Sequence, residues 1–484
     1  MSGGTCRESL KISGDKRKVN SFDEIKNIDV ERILKKALSG GGDFSEIFAE
    51  KKTGTVISSE AKRIEKFNLN IDFGIGLRVV KKDVSAYAFT NDINSLSELA
   101  STVAESIKSG GKGDVVSLVK RSAQEVTQAK ILSSSVDPEK KIALVKSAEE
   151  YAWKHDRRVV QARVMYSDSN RQVFIANSNG FACEDNTGAV IFLVQCVVSD
   201  GRIMETGYEP MGGARGFEIF EEVSPEEIAR RAVMRAIQTL TARSAPAGLM
   251  PVVLSSEAGG TMVHEAIGHG LEADFAGQGL SVYSGKLGEQ VASTAITVID
   301  DGTLPGRRGS IGCDDEGTLS ERTVLVENGI LKSYMTDLIS AAKYDLRPTG
   351  NGRRESFRHR PVPRMTNTII APGKETPDDI LRMAEKGLYV KKMGGGQVNP
   401  VTGDFVFEVS EGYMIEKGHT GEAIRGATLI GNGPKILLSI EHVGSDLGWG
   451  IGTCGKDGQG VPVGDAQPTL LIPEITVGGK IHEE

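Results

Sequence analysis

Glycine sets the tightest limit on this chain: 58 of its 484 residues carry no side chain, about 12% against a usual level of roughly 7%. Such an excess asks for many turns and close backbone approaches, and it suits long helices poorly, since each interior glycine costs about 1 kcal/mol there. The glycines crowd the second half, in runs such as Gly394-Gly395-Gly396 and Gly450-Ile451-Gly452-Thr453-Cys454-Gly455, without the fixed period of a repeat protein. That half should be mostly strands and loops, as in the alternating Asp404-Phe405-Val406-Phe407-Glu408-Val409. The length allows several domains, each with its own core.

Residues 1–26 are polar and unpatterned and read as a flexible N-terminal tail. An N-terminal α+β domain is expected over 27–108, with helical spacing near 29–38 and 96–107 and strand-like stretches at 46–51 and 74–80. The glycine-rich segment 109–114 reads as a linker to a central α+β domain at 115–243. There Asp137-Pro138 opens a helix to about 154, because Asp caps free N–H groups and Pro suits the first turn. Strands are expected at 158–166, 172–176 and 189–198, with Asn179-Gly180 as a turn. Ser224-Pro225-Glu226-Glu227 is a capping box, and Ile228, Ala232, Val233, Ala236, Ile237 and Leu240 then share one helical face. The C-terminal domain, 248–484, opens on a strand at 251–254 and a helix from Thr261; a later helix starts at Thr376-Pro377 and is ended by Gly387.

Lys plus Arg number 58 and Asp plus Glu 65, for a net charge of −7. With no long block of like charge, a nucleic-acid-binding surface is disfavoured. The longest apolar stretch, 189–198, is interrupted by Gln195 and falls short of the roughly 18 residues of a membrane span. No membrane association is expected. The first residues have no apolar core of a secretory signal, and the five cysteines (Cys6, Cys183, Cys196, Cys313, Cys454) are too scattered for a disulfide framework. A reducing, cytoplasmic location is expected.

Only seven histidines occur, and two of them flank a carboxylate in His264-Glu265-Ala266-Ile267-Gly268-His269. Two imidazoles around a carboxylate suit zinc hydrolysis: neutral ring nitrogens hold the ion, the ion acidifies a water, and Glu265 takes its proton. The spacing is one residue longer than in the familiar HExxH. On a regular helix, positions five apart differ by about 140° and cannot aim at one ion. A distorted turn at Gly268, either a π-bulge or a helix break, is therefore predicted. A third ligand is needed. Glu272 and Asp274 are near in sequence, but Cys454 is the better candidate, because its flanking glycines let the backbone approach an ion and Lys456 would favour its thiolate. Spacing along the chain does not decide between them. The fold class is α+β: an N-terminal mixed α/β region followed by a larger, strand-rich C-terminal domain carrying the metal-binding helix.

Three other segments carry weaker signals. The run from Gly450 to Gly455 fits GxGxxG, yet Lys-Asp-Gly-Gln-Gly-Val-Pro follows it and cannot continue as the helix a dinucleotide site needs. Arg353, Arg354 and Arg364 lie around a Gly-Asn-Gly turn and could grip a peptide carboxylate or backbone carbonyls; a solvated loop or a subunit contact is the plainer alternative. Asp314-Asp315-Glu316 could hold a second cation, though adjacent carboxylates before a glycine are usually a solvated turn.

The chain resembles the TldD/PmbA family of metallopeptidases. The resemblance rests on His264-Glu-Ala-Ile-Gly-His269-Gly-Leu-Glu-Ala-Asp274, Asp300-Asp-Gly-Thr-Leu-Pro-Gly306, Asp314-Asp-Glu-Gly317, Gly350-Asn-Gly-Arg-Arg-Glu-Ser356, Pro363-Arg-Met-Thr-Asn367 and Cys454-Gly-Lys-Asp-Gly-Gln459, in that order. It implies that His264, His269 and Cys454 bind Zn²⁺ with Glu265 as catalytic base, and that this chain is the catalytic, TldD-like kind. It implies a cytoplasmic protease for unfolded peptides or unstructured proteins, paired as a homodimer or as a heterodimer with a PmbA-like (TldE) subunit. Two other functions stay open on the residues alone: a non-catalytic peptide-binding or scaffold subunit with a structural metal, and a zinc amidase acting on a small molecule.

Overall fold

The computed structural model describes residues 22–82, 84–107 and 115–479. Residues 1–21 and the expected linker at 109–114 lie outside the described residues. Residues 22–26, expected in a loose tail, instead enter a 3-10 helix, Phe22–Asn27, because Phe22 and Ile25 pack into one core with Leu34 and Leu38. Helix α1 (Val30–Ala37) follows, capped by the Asp29 carboxylate on the Arg32 N–H at 3.0 Å.

Three antiparallel strands come next, β1 (Phe44–Glu60), β2 (Arg63–Lys81) and β3 (Val84–Thr90), then α2 (Leu96–Ser106). The strands are much longer than the apolar stretches that announce them. Polar residues such as Lys52, Asn68 and Asn70 continue the β1–β2 ladder, which runs from Phe44↔Val80 to Glu60↔Arg63. Backbone pairing needs no apolar side chain, so periodicity marks only the part of a strand that something covers. The central region supplies α3 (Pro138–His155), β4 (Val159–Asn177), β5 (Phe181–Ser199), β6 (Met204–Gly213) and α4 (Pro225–Thr241). Strand β4 pairs with β1 from Arg163 to Asn177, so the strands within 44–90 and 159–213, together with the short strand Val119–Ser122, share one seven-stranded sheet. Helices α3 and α4 cover one face of it, with Val145, Ala148, Ile228, Ala232 and Val233 packed against Val164, Tyr166 and Phe192.

The other face meets the C-terminal half through buried charge. Arg78 lies between Glu46 and Glu316, Arg354 also holds Glu46, and Arg171 reaches Glu50 at 2.6 Å and Asp315 at 2.8 Å. Asp314-Asp315-Glu316 is therefore neither a solvated turn nor a cluster of free ligands. Arginines neutralise Asp315 and Glu316, and Asp314 accepts from the Thr318 N–H at 2.8 Å and the Gly352 N–H at 2.9 Å.

The second half adds β7 (Gly248–Leu254), β8 (Val298–Asp301), β9 (Arg322–Glu327), β10 (Asn367–Ile370), helix α5 (Pro377–Met383), β11 (Lys386–Val398), β12 (Asp404–Glu416), β13 (Thr428–Asn432), β14 (Gly448–Lys456), β15 (Gln459–Gln467) and β16 (Leu470–Gly478). Strands β11, β7, β16, β13 and β12 pair in that order, and β12 pairs again with β11, which closes a ring around Leu254, Leu388, Phe407, Leu429 and Ile472. Beside it runs a sheet in the order β9-β8-β10-β15-β14. Helix α5 ends at Met383 rather than near Gly387: Glu385 turns to φ +49°, and Gly387 already pairs with Ile415 inside β11. The chain is α+β, with its larger, strand-rich part at the C-terminal end. No helix among the described residues is long and apolar enough to cross a membrane.

Gly207 lets β6 touch α4, for a Cβ there would lie 1.9 Å from the Ala232 carbonyl oxygen. Gly207→Ala should push the helix off the sheet and destabilise the fold by about 1–3 kcal/mol. A urea midpoint equal to that of the unaltered chain would show that this contact is not tight.

Candidate metal centre

Strand β7 delivers the chain from the closed ring to one short α turn, Thr261–Val263. A π-helical turn, His264–Gly268, follows directly, and then a 3-10 turn, His269–Leu271. The distortion expected at Gly268 is thus of the π kind. Its extra residue per turn brings together two side chains that a regular helix would splay apart: the His264 and His269 rings stand edge to face with centroids 5.1 Å apart. Gly268 is required at the close of the turn, since a Cβ there would lie 2.2 Å from Met365 Sδ. Met262, Val263, Ala266 and Ile267 anchor the same segment in the core.

Cys454 comes from β14, opposite Val461 of β15. The GxGxxG run lies on this strand and opens no helix, so it does not have the context of a dinucleotide site. One donor atom each from His264, His269 and Cys454 lies within 4.8 Å of the other two. Cys454 Sγ is 3.5 Å from His269 Nε2. His264 and Cys454 are buried.

Around this trio the charges are ordered. Lys456 Nζ donates to Glu272 Oε2 at 3.0 Å, to Asp274 Oδ1 at 2.7 Å and to the Pro363 carbonyl at 3.0 Å. Glu272 Oε2 in turn lies 3.1 Å from His269 Nδ1. An ionised carboxylate only accepts, so Nδ1 carries a proton toward Glu272, and Nε2 is the ring nitrogen that faces Cys454. Glu272 and Asp274, weighed earlier as ligands, are outside the trio. Lys456, expected beside the thiolate, is taken up by these two carboxylates, which are fully charged partners within its reach.

Burial opposes charge on Cys454, but hydrogen bonding to His264 and His269 outweighs it and draws the thiol down to about 5, a thiolate at neutral pH. Burial likewise opposes protonation of the imidazoles; Cys454 beside His264, and Glu272 with Cys454 beside His269, raise both above the usual value. Burial of Glu272 is overcome by Lys456 and His269, which hold it down to about 2. Burial pushes Asp274 up to about 6 and raises Glu265 and Asp465 above the ordinary carboxylate range. A cavity of about 980 Å³ opens beside the trio, with His264, Glu265, Asp465, Tyr208, Arg308 and Trp449 among its walls.

The three arginines singled out in the sequence are not presented on a solvated loop. Arg353, Arg354 and Arg364 are 4%, 2% and 0% exposed, which corrects the expectation of free side chains that grip substrate. Arg353 donates to the carbonyls of Met365 and Pro462, Arg354 to Glu46 and the Asp315 carbonyl, and Arg364 to the Cys454 carbonyl. Arginine forks do take backbone carbonyls here, but those of this chain. Asp465 was missed. It accepts from the Gly260 N–H at 3.2 Å and influences the charge of His264. Its one signal was an acidic residue inside a strand, where aspartate is depleted.

Three family profiles match the chain in order: PmbA/TldA metallopeptidase domain 1 at 45–110, the central domain at 131–240 and the C-terminal domain at 247–479. A Haemophilus influenzae protein named metalloprotease TldD homolog is 40% identical over 429 residues, covering 86% of this chain and 89% of that relative. Among solved structures, a Thermotoga maritima protein described as a candidate modulator of a DNA gyrase superposes with a TM-score of 0.77 at 23% identity, over 95% of this chain and all of that one. TldE from Thermococcus kodakarensis does so with a TM-score of 0.73 at 20% identity, over 94% of this chain and all of that one. Profiles spanning most of the sequence and a full-length relative at this identity leave one assignment: the chain belongs to the TldD/PmbA metallopeptidase family.

Proposed function

We propose that this chain is a zinc-dependent peptidase that hydrolyses peptide bonds in unfolded peptides or unstructured proteins, with His264, His269 and Cys454 as metal ligands and Glu265 as general base. The observation that carries this reading is the convergence of three donor atoms within 4.8 Å beside a cavity that Glu265 lines. The donor set fits the ion. Two imidazoles and a thiolate are the borderline-soft ligands zinc takes, and three protein ligands leave a fourth position for substrate chemistry. His264 Nδ1 is buried without a hydrogen-bond partner, a cost of about 1–3 kcal/mol that fits a histidine held for a metal ion.

When bound, zinc supplies a Lewis acid that polarises a carbonyl and lowers the pKa of water toward roughly 7. The protein does the rest. Glu272 fixes the His269 tautomer, Lys456 keeps Glu272 ionised, and the π turn sets the rings. Glu265, made more basic than an exposed glutamate by burial, takes a proton from the attacking water and returns it to the leaving amine. A cavity of about 980 Å³ with mixed polar and apolar walls has room for a stretch of peptide but not for a folded domain. The likeness to TldE from Thermococcus kodakarensis supports a pairing with either a second copy or a PmbA-like partner. A cytoplasmic setting is in keeping with Cys183, Cys196, Cys313 and Cys454, all buried and unbridged.

Glu265→Gln should retain zinc by elemental analysis and lose roughly 10²–10⁴-fold in kcat on unstructured peptides; cleavage at the native rate would remove Glu265 from its role. Cys454→Ala should weaken zinc binding in a chelator competition, and Glu272→Gln should weaken it by about 10–100-fold through His269. Unchanged affinity in Cys454→Ala would show that the sulfur is no ligand.

A further inference from the structure

Two arginines face the metal cavity with no carboxylate beside them. Arg307 and Arg308 follow Gly306 in the loop between β8 and β9, and both line the cavity that His264 and Glu265 line. The loop is fixed on both sides. The Gly306 N–H donates to the Val126 carbonyl at 2.8 Å, the Gly306 carbonyl accepts from the Ala214 N–H at 3.1 Å, and the Gly309 N–H donates to Asn367 Oδ1 at 3.1 Å. Side chains carried on such a loop are placed before a ligand arrives, which lowers the entropy cost of binding.

Their hydrogen bonding sets them apart from the other arginines of the interior. Arg78, Arg171, Arg235 and Arg354 each meet at least one carboxylate, and Arg353 and Arg364 give their donors to backbone carbonyls. Arg308 gives Nε to the Gly452 carbonyl at 2.9 Å and Nη2 to Thr453 Oγ1 at 3.3 Å, which leaves Nη1 with no acceptor among the described residues. Arg307 lies over the Trp449 ring, 3.9 Å from its centroid, and contact with a ring face uses none of the N–H donors. Burial draws Arg308 down to about 10 with only Tyr208 opposing it, and burial and Arg215 together lower Arg307. The acidic Glu209 of the same wall is already held by Arg235 at 2.8 Å. Among the described residues no carboxylate forms an ion pair with either arginine.

Adjacent guanidinium groups with free N–H edges make a receptor for a planar anion, and in a peptide that anion is a carboxylate. We propose that Arg307 and Arg308 form a specificity subsite that receives a carboxylate of the substrate peptide, carried on an acidic side chain or at the C-terminus. The inference rests on the peptidase reading of this cavity. Arg308 is bonded to Gly452, two residues before Cys454 on β14, which is roughly 7 Å of strand. A carboxylate held there belongs to a residue about two positions of extended peptide away from the metal ligands. The subsite thus selects what flanks the scissile bond and leaves the bond itself to the metal and Glu265.

The full zinc-loaded chain carrying Glu265→Gln reads affinity without turnover. Dansylated, unstructured Gly-Ser-Gln peptides, with a single Glu at each position in turn or with none, each made as the free acid and as the C-terminal amide, are titrated by fluorescence anisotropy. The best carboxylate-bearing peptide should bind roughly 10–100-fold tighter than the neutral amide. An advantage of Glu among the amides assigns the carboxylate to a side chain, and an advantage of the free acid without Glu assigns it to the terminus. Adding Arg308→Gln or Arg307→Gln should remove the advantage while zinc content and affinity for the neutral amide stay the same. Arg307 contacts the Trp449 ring rather than the β14 backbone, so its variant keeps the test sound if Arg308→Gln disturbs that strand. Lys392→Gln, which removes another cation of the same cavity, should keep the advantage. Equal affinity for charged and neutral peptides, binding of no peptide, an advantage that survives both arginine substitutions, or one lost equally with Lys392→Gln would each overturn the subsite. Cleavage by the native chain is scored apart: its absence contradicts the peptidase reading, whereas charge-blind binding by a chain that does cleave contradicts the subsite alone.

Discussion

Everything at the metal centre depends on one turn of π-helix. Histidines five residues apart cannot share an ion on a regular helix, and the fold meets that constraint by inserting one residue into the turn His264–Gly268. The insertion is held from both sides. Met262, Val263, Ala266 and Ile267 sink into the core on one side, and Gly268 admits Met365 on the other. Glu265 keeps its place between the two rings in sequence, so the same turn that gathers ligands also aims a carboxylate at the cavity.

The remaining donor has to be brought from far along the chain, and buried arginines do this. Arg364 holds the carbonyl of Cys454 itself, and Arg353 holds Pro462 on the neighbouring strand. Arg354 extends the connection to Glu46 of β1, within the network that joins the seven-stranded sheet to the C-terminal half. Buried ion pairs are costly to desolvate and give little net stability, but removing one partner strands the other. Their use here is positional: the sheet of the first half braces the strand that carries the sulfur.

Some of this was legible in the sequence. Caps showed plainly at Asp137, Ser224 and Thr376, where a side chain must satisfy free backbone donors. The i, i+5 spacing required a distorted turn, which is a matter of geometry alone. Strand lengths were not legible, because β1, β2 and β4 continue through polar residues whose pairing leaves no periodic trace. Closure of the ring between β11 and β12 left no signal either, being a property of register. The arginines misled for a specific reason: a Gly-Asn-Gly turn with clustered cations looks the same in sequence whether its charges meet water or Glu46 and Asp315. Glu272 was weighed as a ligand rather than as the partner of His269, and Asp465 went unassigned, because a carboxylate serving a histidine or an amide has no fixed distance in sequence from what it serves.

The central claim is that two ring nitrogens and one sulfur converge on one zinc ion. X-ray absorption at the zinc edge of the metal-loaded chain tests it most directly. One sulfur scatterer near 2.3 Å with two imidazole nitrogens near 2.0–2.1 Å is the expected shell. A shell of oxygen and nitrogen only, with no sulfur, or with one imidazole, would contradict it.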